Sequence, residues 1–331
     1  MVSPKISVII VNYNGKQLLE KCLESLLKID YNSIEIIVVD NNSTDDSVEF
    51  LSKNYHSITL LKLDSNKGFA EPNNIAARMA KGDFLLFLNN DTIVTPTFLS
   101  ELVHVMKDEK IGICQSLLLK PDGKIDSSGD FVDQLGIVYN SKKHIDHVRE
   151  IFSARGASMM IRKSLFEKLG GFDEKFYFSF EDVDLSWRAR ILDYSVVVVP
   201  KSIVYHYGGK SSKEIKNELT FHGTKNQLSM KLTNFEFPLS IKKLFSFFVI
   251  YGIREIKISL DYLFFGKTNM KATKYEDKTA LKPNFIMILK GIFWLIRNSN
   301  YLLKKYQKIN SHRIIRTKQL EKMKLISNHK Q

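Results

Sequence analysis

Two cysteines, Cys22 and Cys114, are all that the 331 residues contain. That is too few for a disulfide framework, and both lie in apolar-patterned segments. The expectation is two buried, reduced thiols, which suits the cytosol. No run approaches the roughly 20 apolar residues that a membrane-spanning helix needs. The apolar stretch 6–11 is too short for a signal peptide and leads into polar turn residues, so none is expected. Acidic residues are scarce in one region only. Residues 201–331 hold 8 Asp and Glu against 26 Lys and Arg, a net of +18. Residues 1–200 hold 28 against 23, a net of −5. The overall +13 therefore describes neither part, and the asymmetry suggests a catalytic body with a basic appendage facing an anionic partner. The 44% hydrophobic content is too high for a disordered chain and ordinary for a globular one.

Residues 6–11 form a β-branched run, the pattern of a strand buried on both faces of a parallel sheet. Leu18, Leu19, Cys22, Leu23, Leu26 and Leu27 then repeat at helical spacing. A second buried strand, 34–39, ends at Asp40, and the polar residues after it can cap a helix carrying Val48, Phe50 and Leu51. Strand 58–61, an Ala-rich helix around 75–80 and strand 84–88 complete a βαβαβαβ alternation. This predicts a doubly wound, mostly parallel sheet. Beyond it, 111–119 and 156–161 read as strands, 120–150 as a mobile polar loop, 181–192 as a helix and 196–199 as a strand. From about residue 235 two short apolar blocks, 244–251 and 285–296, are flanked by Lys and Arg. They suit helices lying at a membrane surface, or helices packed on the catalytic body.

Three short pieces carry the chemistry: Asn89-Asn90-Asp91, Glu181-Asp182-Val183-Asp184 and His206. The first follows a buried strand, at the sheet edge where open α/β folds bind ligands. The second opens a helix. Together they offer a carboxylate and an imidazole for a divalent metal and a separate acidic cluster for a base, and a diphosphate substrate needs both. Each piece also has a plain reading: acids prefer turns and helix starts, and a lone histidine near a strand end is commonly a surface or core residue.

The order of these pieces resembles glycosyltransferase family 2, which has the GT-A fold. Residues 7–14, Ser-Val-Ile-Ile-Val-Asn-Tyr-Asn, are similar to its opening strand. Residues 38–43, Val-Val-Asp-Asn-Asn-Ser, resemble its second. Asn66-Lys67-Gly68-Phe69-Ala70 resembles its glycine–phenylalanine turn, and Leu88-Asn89-Asn90-Asp91 its metal motif. Gly170-Gly171-Phe172-Asp173 with 181–185 resembles the acceptor-side block of the rhamnosyltransferase-like branch. The resemblance covers roughly residues 5–210.

It implies that Asn12, Asn14, Asp40, Asn66 and Asn89 bind the nucleotide sugar. In the plain reading Asn12, Asn14, Asn66 and Gly68 are turn residues and Asp40 caps a helix. It implies Asp91 and His206 as ligands of Mn²⁺ or Mg²⁺, since a zinc site would want more nitrogen or sulfur. It singles out Asp182 as the general base and leaves Glu181 and Asp184 to bind or orient the acceptor. Arg188 and Arg190 pair with these acids or are solvated, and solvation is the expectation. Two departures stand out. Asn89 replaces the first carboxylate of a DXD motif, and Glu71-Pro72 follows the turn where relatives have small residues.

The expected protein is an inverting glycosyltransferase with a GT-A domain at 1–235, its nucleotide half at 1–110 and its acceptor half at 111–235. A basic helical region follows at 236–331. The donor is a nucleotide-diphosphate sugar and the acceptor a saccharide or lipid-linked saccharide in surface polysaccharide or cell-wall assembly. The location is the inner face of the cell membrane, against anionic lipid. Two other classes compete with this reading. A nucleotidyltransferase would want a glycine-rich, basic loop after the first strand, where this chain has Asn-Tyr-Asn-Gly. A nucleic-acid binder would interleave single aromatics with its cations, whereas these aromatics stand in blocks.

Overall fold

A computed structural model describes residues 3–208, 216–265 and 285–327. The chain divides into two compact units. The first comprises Met1–Phe131 and Asn140–Lys213; the second takes Val132–Tyr139 and Glu214–Gln331.

The first unit opens with β1 (Ile6–Asn12), α1 (Lys16–Leu26), β2 (Ile34–Asp40), α2 (Ser47–Asn54), β3 (Thr59–Lys62), α3 (Ala70–Met79) and β4 (Phe84–Leu88). The strands β3-β2-β1-β4 are adjacent and parallel, as the buried β-branched runs predict. Alternate residues of β1 face opposite layers. Ile6, Val8 and Ile10 pack with Leu19, Cys22, Leu23 and Leu26 of α1, while Ile9 packs in the layer of α3 alanines. Pro72 sits in the first turn of α3, where a missing N–H costs nothing. Asp46, at the start of α2, makes no capping hydrogen bond; Asp45 accepts from the Ser47 amide instead (3.1 Å). Both cysteines are buried and unpaired, and burial pushes the Cys22 thiol up to about 12.

The sheet then continues with reversed strands. After β5 (Thr92–Val94) and α4 (Phe98–Val105) come β6 (Ile111–Leu119), β7 (Ile125–Ser127), β8 (Asp130–Asp133), β9 (Val138–Asn140), β10 (Arg149–Glu150) and β11 (Ser158–Arg162). The expected mobile loop at 120–150 is thus four short strands; their polar sequence hid pairing that depends on distant partners. Next are α5 (Lys163–Leu169), α6 (Glu181–Ile191) and β12 (Ser195–His206). The sheet order is β10-β12-β6-β11-β4-β1-β2-β3, with β5 on β12 and β7 on β6. Strand β11 runs antiparallel to both β4 and β6. Strand β12 runs well past the apolar run 196–199 and carries His206 as its last residue.

Helix α6 corrects the expectation that Arg188 and Arg190 are solvated. Both are buried. Arg188 Nε donates to Asp184 (2.8 Å), and its other nitrogens donate to the carbonyls of Leu169 and Gly171 (2.9 Å each). Arg190 donates to the carbonyls of Ile151 and Val196 and pairs with Glu150 at 3.4 Å. Gly170 ends α5 at φ +82°, so the Arg188 fork closes on a turn that only glycine adopts freely.

The second unit holds the hairpin 132–139 and α7 (Lys216–Asn234), α8 (Leu239–Phe265), α9 (Phe285–Arg297), α10 (Ser299–Ser311), α11 (Thr317–Lys322) and β13 (Ile326–Ser327), which pairs with β8. Its core is Leu228, Phe247, Leu295 and Leu302. Lys231 is fully buried; its amine donates to the Gly136 carbonyl (2.7 Å) and lies 5.0 Å from the Phe247 ring. Burial pulls this lysine down to about 7. The two apolar blocks are helical, but each splits its residues. Phe247 and Leu295 face the core, while Phe245, Val249, Ile253, Phe293 and Ile296 are exposed. Among the described residues no helix is long and apolar enough to cross a membrane. Residues 266–284 and 328–331 of the basic region lie outside the described residues.

Removing one partner of a buried ion pair strands the other charge and costs about 3–5 kcal/mol. Asp184→Ala should therefore lower unfolding stability by about that much in urea titration. Unchanged stability would mean that the Asp184–Arg188 pair does not hold α6.

Candidate active site

The parallel strands end together. Asn12 pairs with Asp40 in the β1/β2 register, and Asn89 follows β4 at the same carboxyl edge. Asn12 and Asp40 are buried and spend their polar atoms on protein. Asn12 Nδ2 lies 3.4 Å from Asp40 Oδ1 and 3.3 Å from Ser43 Oγ, and its Oδ1 accepts from Asn90 (2.8 Å). Asp40 Oδ2 accepts from the Ser43 amide (2.9 Å). Asn14 is exposed at φ +49°, with Oδ1 accepting from the Thr44 amide (2.7 Å). These three form a bonded floor between two strand ends.

Asn66 closes a second turn. Its Oδ1 accepts from Asn41 (3.0 Å), the Gly68 amide (3.0 Å) and the Tyr177 hydroxyl (3.3 Å). Gly68 is at φ +75°, and a Cβ there would stand 2.3 Å from the Tyr177 carbonyl. The glycine is thus required by both conformation and space. Asn41, unremarked in the sequence, is the buried hub: it also donates to the Gly68 carbonyl and accepts from the Lys67 amide (2.8 Å each). Asn89 is held through its backbone, with its amide on Ala157 and its carbonyl on the Thr92 hydroxyl.

Asp91 and His206 are brought together by β5 and β12. His206 pairs with Thr92, and the Tyr207 amide donates to the Asp91 carbonyl (2.9 Å). His206 Nε2 then lies 3.5 Å from Asp91 Oδ1, a buried oxygen with no hydrogen-bond partner. His206 Nδ1 is 2.9 Å from Asp126 Oδ2 on β7. Burial lowers the imidazole pKa, but the hydrogen bonds and charges of Asp126 and Asp91 outweigh it and leave it at about 9. A carboxylate behind a histidine fixes the ring and directs its other nitrogen outward, the arrangement of metal-bound histidines. A buried carboxylate oxygen facing that nitrogen at the long distance of 3.5 Å fits a divalent cation placed between the two. Among the described residues no group of three or more His, Cys, Asp or Glu could hold a metal. These two ligands would leave the rest of a cation's shell to phosphate oxygens or water.

Asp182 is half-buried in the first turn of α6. Its Oδ2 accepts from the Gly156 amide (3.0 Å) and its Oδ1 from the Val183 amide (2.8 Å). Burial pushes its pKa up; the Gly156 hydrogen bond and the Arg155 charge oppose this, and the Asp130 charge adds to it, giving about 6. Arg155 Nε sits on both oxygens of buried Asp130, at 3.1 and 3.3 Å. One dipeptide, Arg155-Gly156, thus holds both carboxylates. Asp126 also acts on Asp130, which links the His206 side to the Asp182 side. The turn before α6 is unusual: Tyr177, Ser179 and Phe180, none a glycine, all have positive φ. Such outliers gather at functional sites. Glu181 is buried. Asp184 is 0% exposed and committed to Arg188, so it orients the helix and cannot touch an acceptor.

Sequence reasoning missed Asn41, Asn90, Asp126, Asp130 and Arg155. Asn41 and Asn90 stand inside motifs the sequence does mark, without a role of their own; the other three lie in or beside the segment read as a loop, where no local pattern marks them.

A parallel nucleotide-type sheet continued by reversed strands, with an acid and a histidine at its edge, defines a GT-A fold. Residues 7–170 match the family model described as glycosyl transferase family 2, and that part of the chain belongs to the family. The chain is 31% identical over 227 residues to O-antigen biosynthesis protein RfbC of Myxococcus xanthus, covering 64% of this chain. It spans only 18% of that protein's length. It is 24% identical over 237 residues to the N-acetylglucosaminyl-diphospho-decaprenol L-rhamnosyltransferase of Mycobacterium tuberculosis, covering 62% of this chain and 77% of the relative. Mannosyltransferase PcManGT of Pyrobaculum calidifontis, solved with GDP-Man and Mn²⁺, has the same fold. Its TM-score is 0.54 at 16% identity, covering 91% of this chain and 76% of that one.

The electrostatics around Asp182 are testable without a substrate. Carboxyl-selective NMR should find Asp182 titrating near pH 6, well above an ordinary aspartate. Asp130→Asn removes a like charge and releases Arg155, so the midpoint should fall. A midpoint near 4 in the parent protein would remove the argument for a tuned base.

Proposed function

We propose that the chain is an inverting glycosyltransferase that moves a sugar from a nucleotide-diphosphate donor to a lipid-linked saccharide. One observation carries the reading. A single site pairs a buried carboxylate and an oriented imidazole 3.5 Å apart (Asp91, His206) with a carboxylate raised to about 6 (Asp182). A leaving diphosphate needs the first pair and an acceptor hydroxyl needs the second. The family relation and the rhamnosyltransferase relative, named for a diphospho-decaprenol acceptor, support the same reading.

Asn14 and Asn66, at the two turns, would meet the nucleotide, while Asn12 and Asp40 set the floor beneath it. Asn89 orders the strand end that presents Asp91. Mn²⁺ or Mg²⁺ bound by Asp91 and His206 would neutralise charge on the departing diphosphate. Asp182 takes the proton of the acceptor hydroxyl. The oxygen then bonds to the anomeric carbon from the face opposite the diphosphate, whose bond to that carbon breaks with the electron pair. One displacement inverts the configuration. Glu181 and Asp184 position this base.

The catalytic part falls in the first unit, and the basic helical part, expected at 236–331, takes in α7 and the hairpin 132–139 as well. The exposed apolar faces of α8 and α9 carry Lys242, Lys257, Lys290 and Arg297 alongside. That pairing suits an anionic membrane surface on the cytoplasmic side, where a lipid-linked acceptor in surface polysaccharide or cell-wall assembly would be met.

With a nucleotide-sugar donor, EDTA should abolish transfer and Mn²⁺ or Mg²⁺ restore it. Asp91→Ala should cost about 10²–10³-fold in kcat. Asp182→Asn should cost about 10²–10⁴-fold at an unchanged melting temperature. Because the base works ionised, kcat/KM should rise with pH through about 6 and then level. Full activity in EDTA would remove the cation, and near-normal Asp182→Asn turnover would remove the base.

Cosedimentation tests the membrane surface. The protein should pellet with anionic liposomes, be partly released by high salt, and bind neutral liposomes weakly, since salt screens charge and leaves apolar insertion intact. Failure to bind anionic liposomes would withdraw the membrane part alone.

A further inference from the structure

The helical unit contains a cleft of about 730 Å³ that the transfer chemistry does not use. This volume lies within the range of small-molecule sites. Phe221 of α7 forms one side; Met287, Leu289, Phe293 and Trp294 of α9 form the other. Lys290 and Arg297 stand at the same cleft, and none of its eight lining residues is acidic. Among the described residues neither cation has a carboxylate partner.

Two features identify the occupant. The cleft combines an apolar wall with two uncompensated cations, the complement of an apolar chain with an anionic head. It is also continuous with an exposed apolar stripe: Leu289 and Phe293, 62% and 64% exposed, belong to both the cleft and the row Ile286, Leu289, Phe293, Ile296. These four recur every three or four residues, so they form one face of α9. An occupant can therefore enter from the lipid phase with its tail leading.

We propose that the α7–α9 cleft binds the first part of a polyprenyl chain, with its phosphate or diphosphate held by Lys290 and Arg297. The proposal rests on the reading of a lipid-linked acceptor and assigns its lipid part to a definite place in the helical unit. The cleft grips the chain near the phosphate, and the remainder lies along the exposed stripe.

Trp294 lines the cleft and Trp187 is fully buried elsewhere, so the protein carries its own reporter. The full chain, without vesicles, is titrated with farnesyl phosphate below its aggregation concentration and followed by tryptophan emission. Farnesol and inorganic pyrophosphate are parallel arms. Farnesyl phosphate should give a saturable change that Trp294→Phe abolishes. Farnesol should bind more weakly, and pyrophosphate should give no change. Leu289→Gln with Phe293→Gln should weaken farnesyl phosphate by at least about tenfold, since both contribute apolar contact. Both positions are exposed, so folding should be unaffected, and a melting curve confirms it. Lys290→Gln with Arg297→Gln should bring farnesyl phosphate to the affinity of farnesol. A non-saturating signal, a signal that persists in Trp294→Phe, or equal affinity in the Leu289/Phe293 variant overturns the site. Liposome sedimentation of the parent separates the two readings: farnesyl phosphate binding without liposome binding keeps the cleft and removes the membrane surface. The reverse result removes the cleft alone.

Discussion

The register of β12 is the constraint on which the site depends. This strand runs parallel to β6 along much of its length and antiparallel to β5 at its end. Only that second pairing sets His206 opposite Thr92, one residue from Asp91. A one-residue slip would turn the imidazole to the other face of the sheet. The register breaks between Val199 and Ile203, around Pro200, which a continuous ladder would not accept. A relay of buried hydroxyls secures the strand there. Ser116 Oγ lies 2.8 Å from both Ser158 and Ser202, and Ser202 donates to the Phe98 carbonyl. Strands β6, β11 and β12 are thereby pinned by bonds that have no water to compete with them.

The same economy governs the acids. Asp91, Asp126, Asp130 and Asp182 cluster in one site, where mutual repulsion is a cost. Asp126 goes one way, and Asp130 and Asp182 the other. Asp126 is held below the usual carboxylate range: burial works against it, and the His206 hydrogen bond and charge prevail. Asp130 goes up with burial despite Arg155. Asp182 stops near 6 because two backbone amides partly offset its burial. Separation of acid strengths within one site is how distinct roles are assigned to chemically identical groups. The strained turn at 177–180 supplies the geometry, since the Tyr177 carbonyl accepts from the Phe69 amide (2.6 Å) and ties the donor-side turn to the start of α6.

What the sequence revealed follows from how local each signal is. Strands β1, β2 and β4 are buried on both faces, so their β-branched or apolar runs are unambiguous. Asp91 was legible because it follows such a strand directly. His206 and Asp182 were legible through resemblance, since a histidine or an acid alone says little. Asp126, Asp130 and Arg155 were hidden because their roles arise from pairing between β7, β8 and a turn 25 residues on. Arg188 and Arg190 were misjudged for a related reason. A guanidinium reads as surface in a composition profile, yet backbone carbonyls at the ends of neighbouring elements can receive its donors and make burial tolerable. Helix α7 was missed because Lys225 and Lys231 occupy its core-facing positions and interrupt the apolar stripe.

Those two lysines also change the meaning of the charge count. The +18 of residues 201–331 suggests a uniformly basic surface, but part of it points inward. Lys231 is bonded to the Gly136 carbonyl, Lys225 stands 4.8 Å from the Trp294 ring, and Arg313 approaches Glu236 at 3.9 Å. Such cations hold the helices together and contribute little to attraction at a distance. Exposed cations remain on α10 and α11 (Lys304, Lys308, Lys318, Lys322), and those of α8 and α9 stand beside exposed apolar residues. On the proposed membrane reading, attraction and insertion would act together on α8 and α9, so a bilayer that drew the protein in by charge would meet their apolar faces at once. A flat polyanion such as a duplex would satisfy the charges and leave those faces in water, which is why the arrangement favours lipid over nucleic acid.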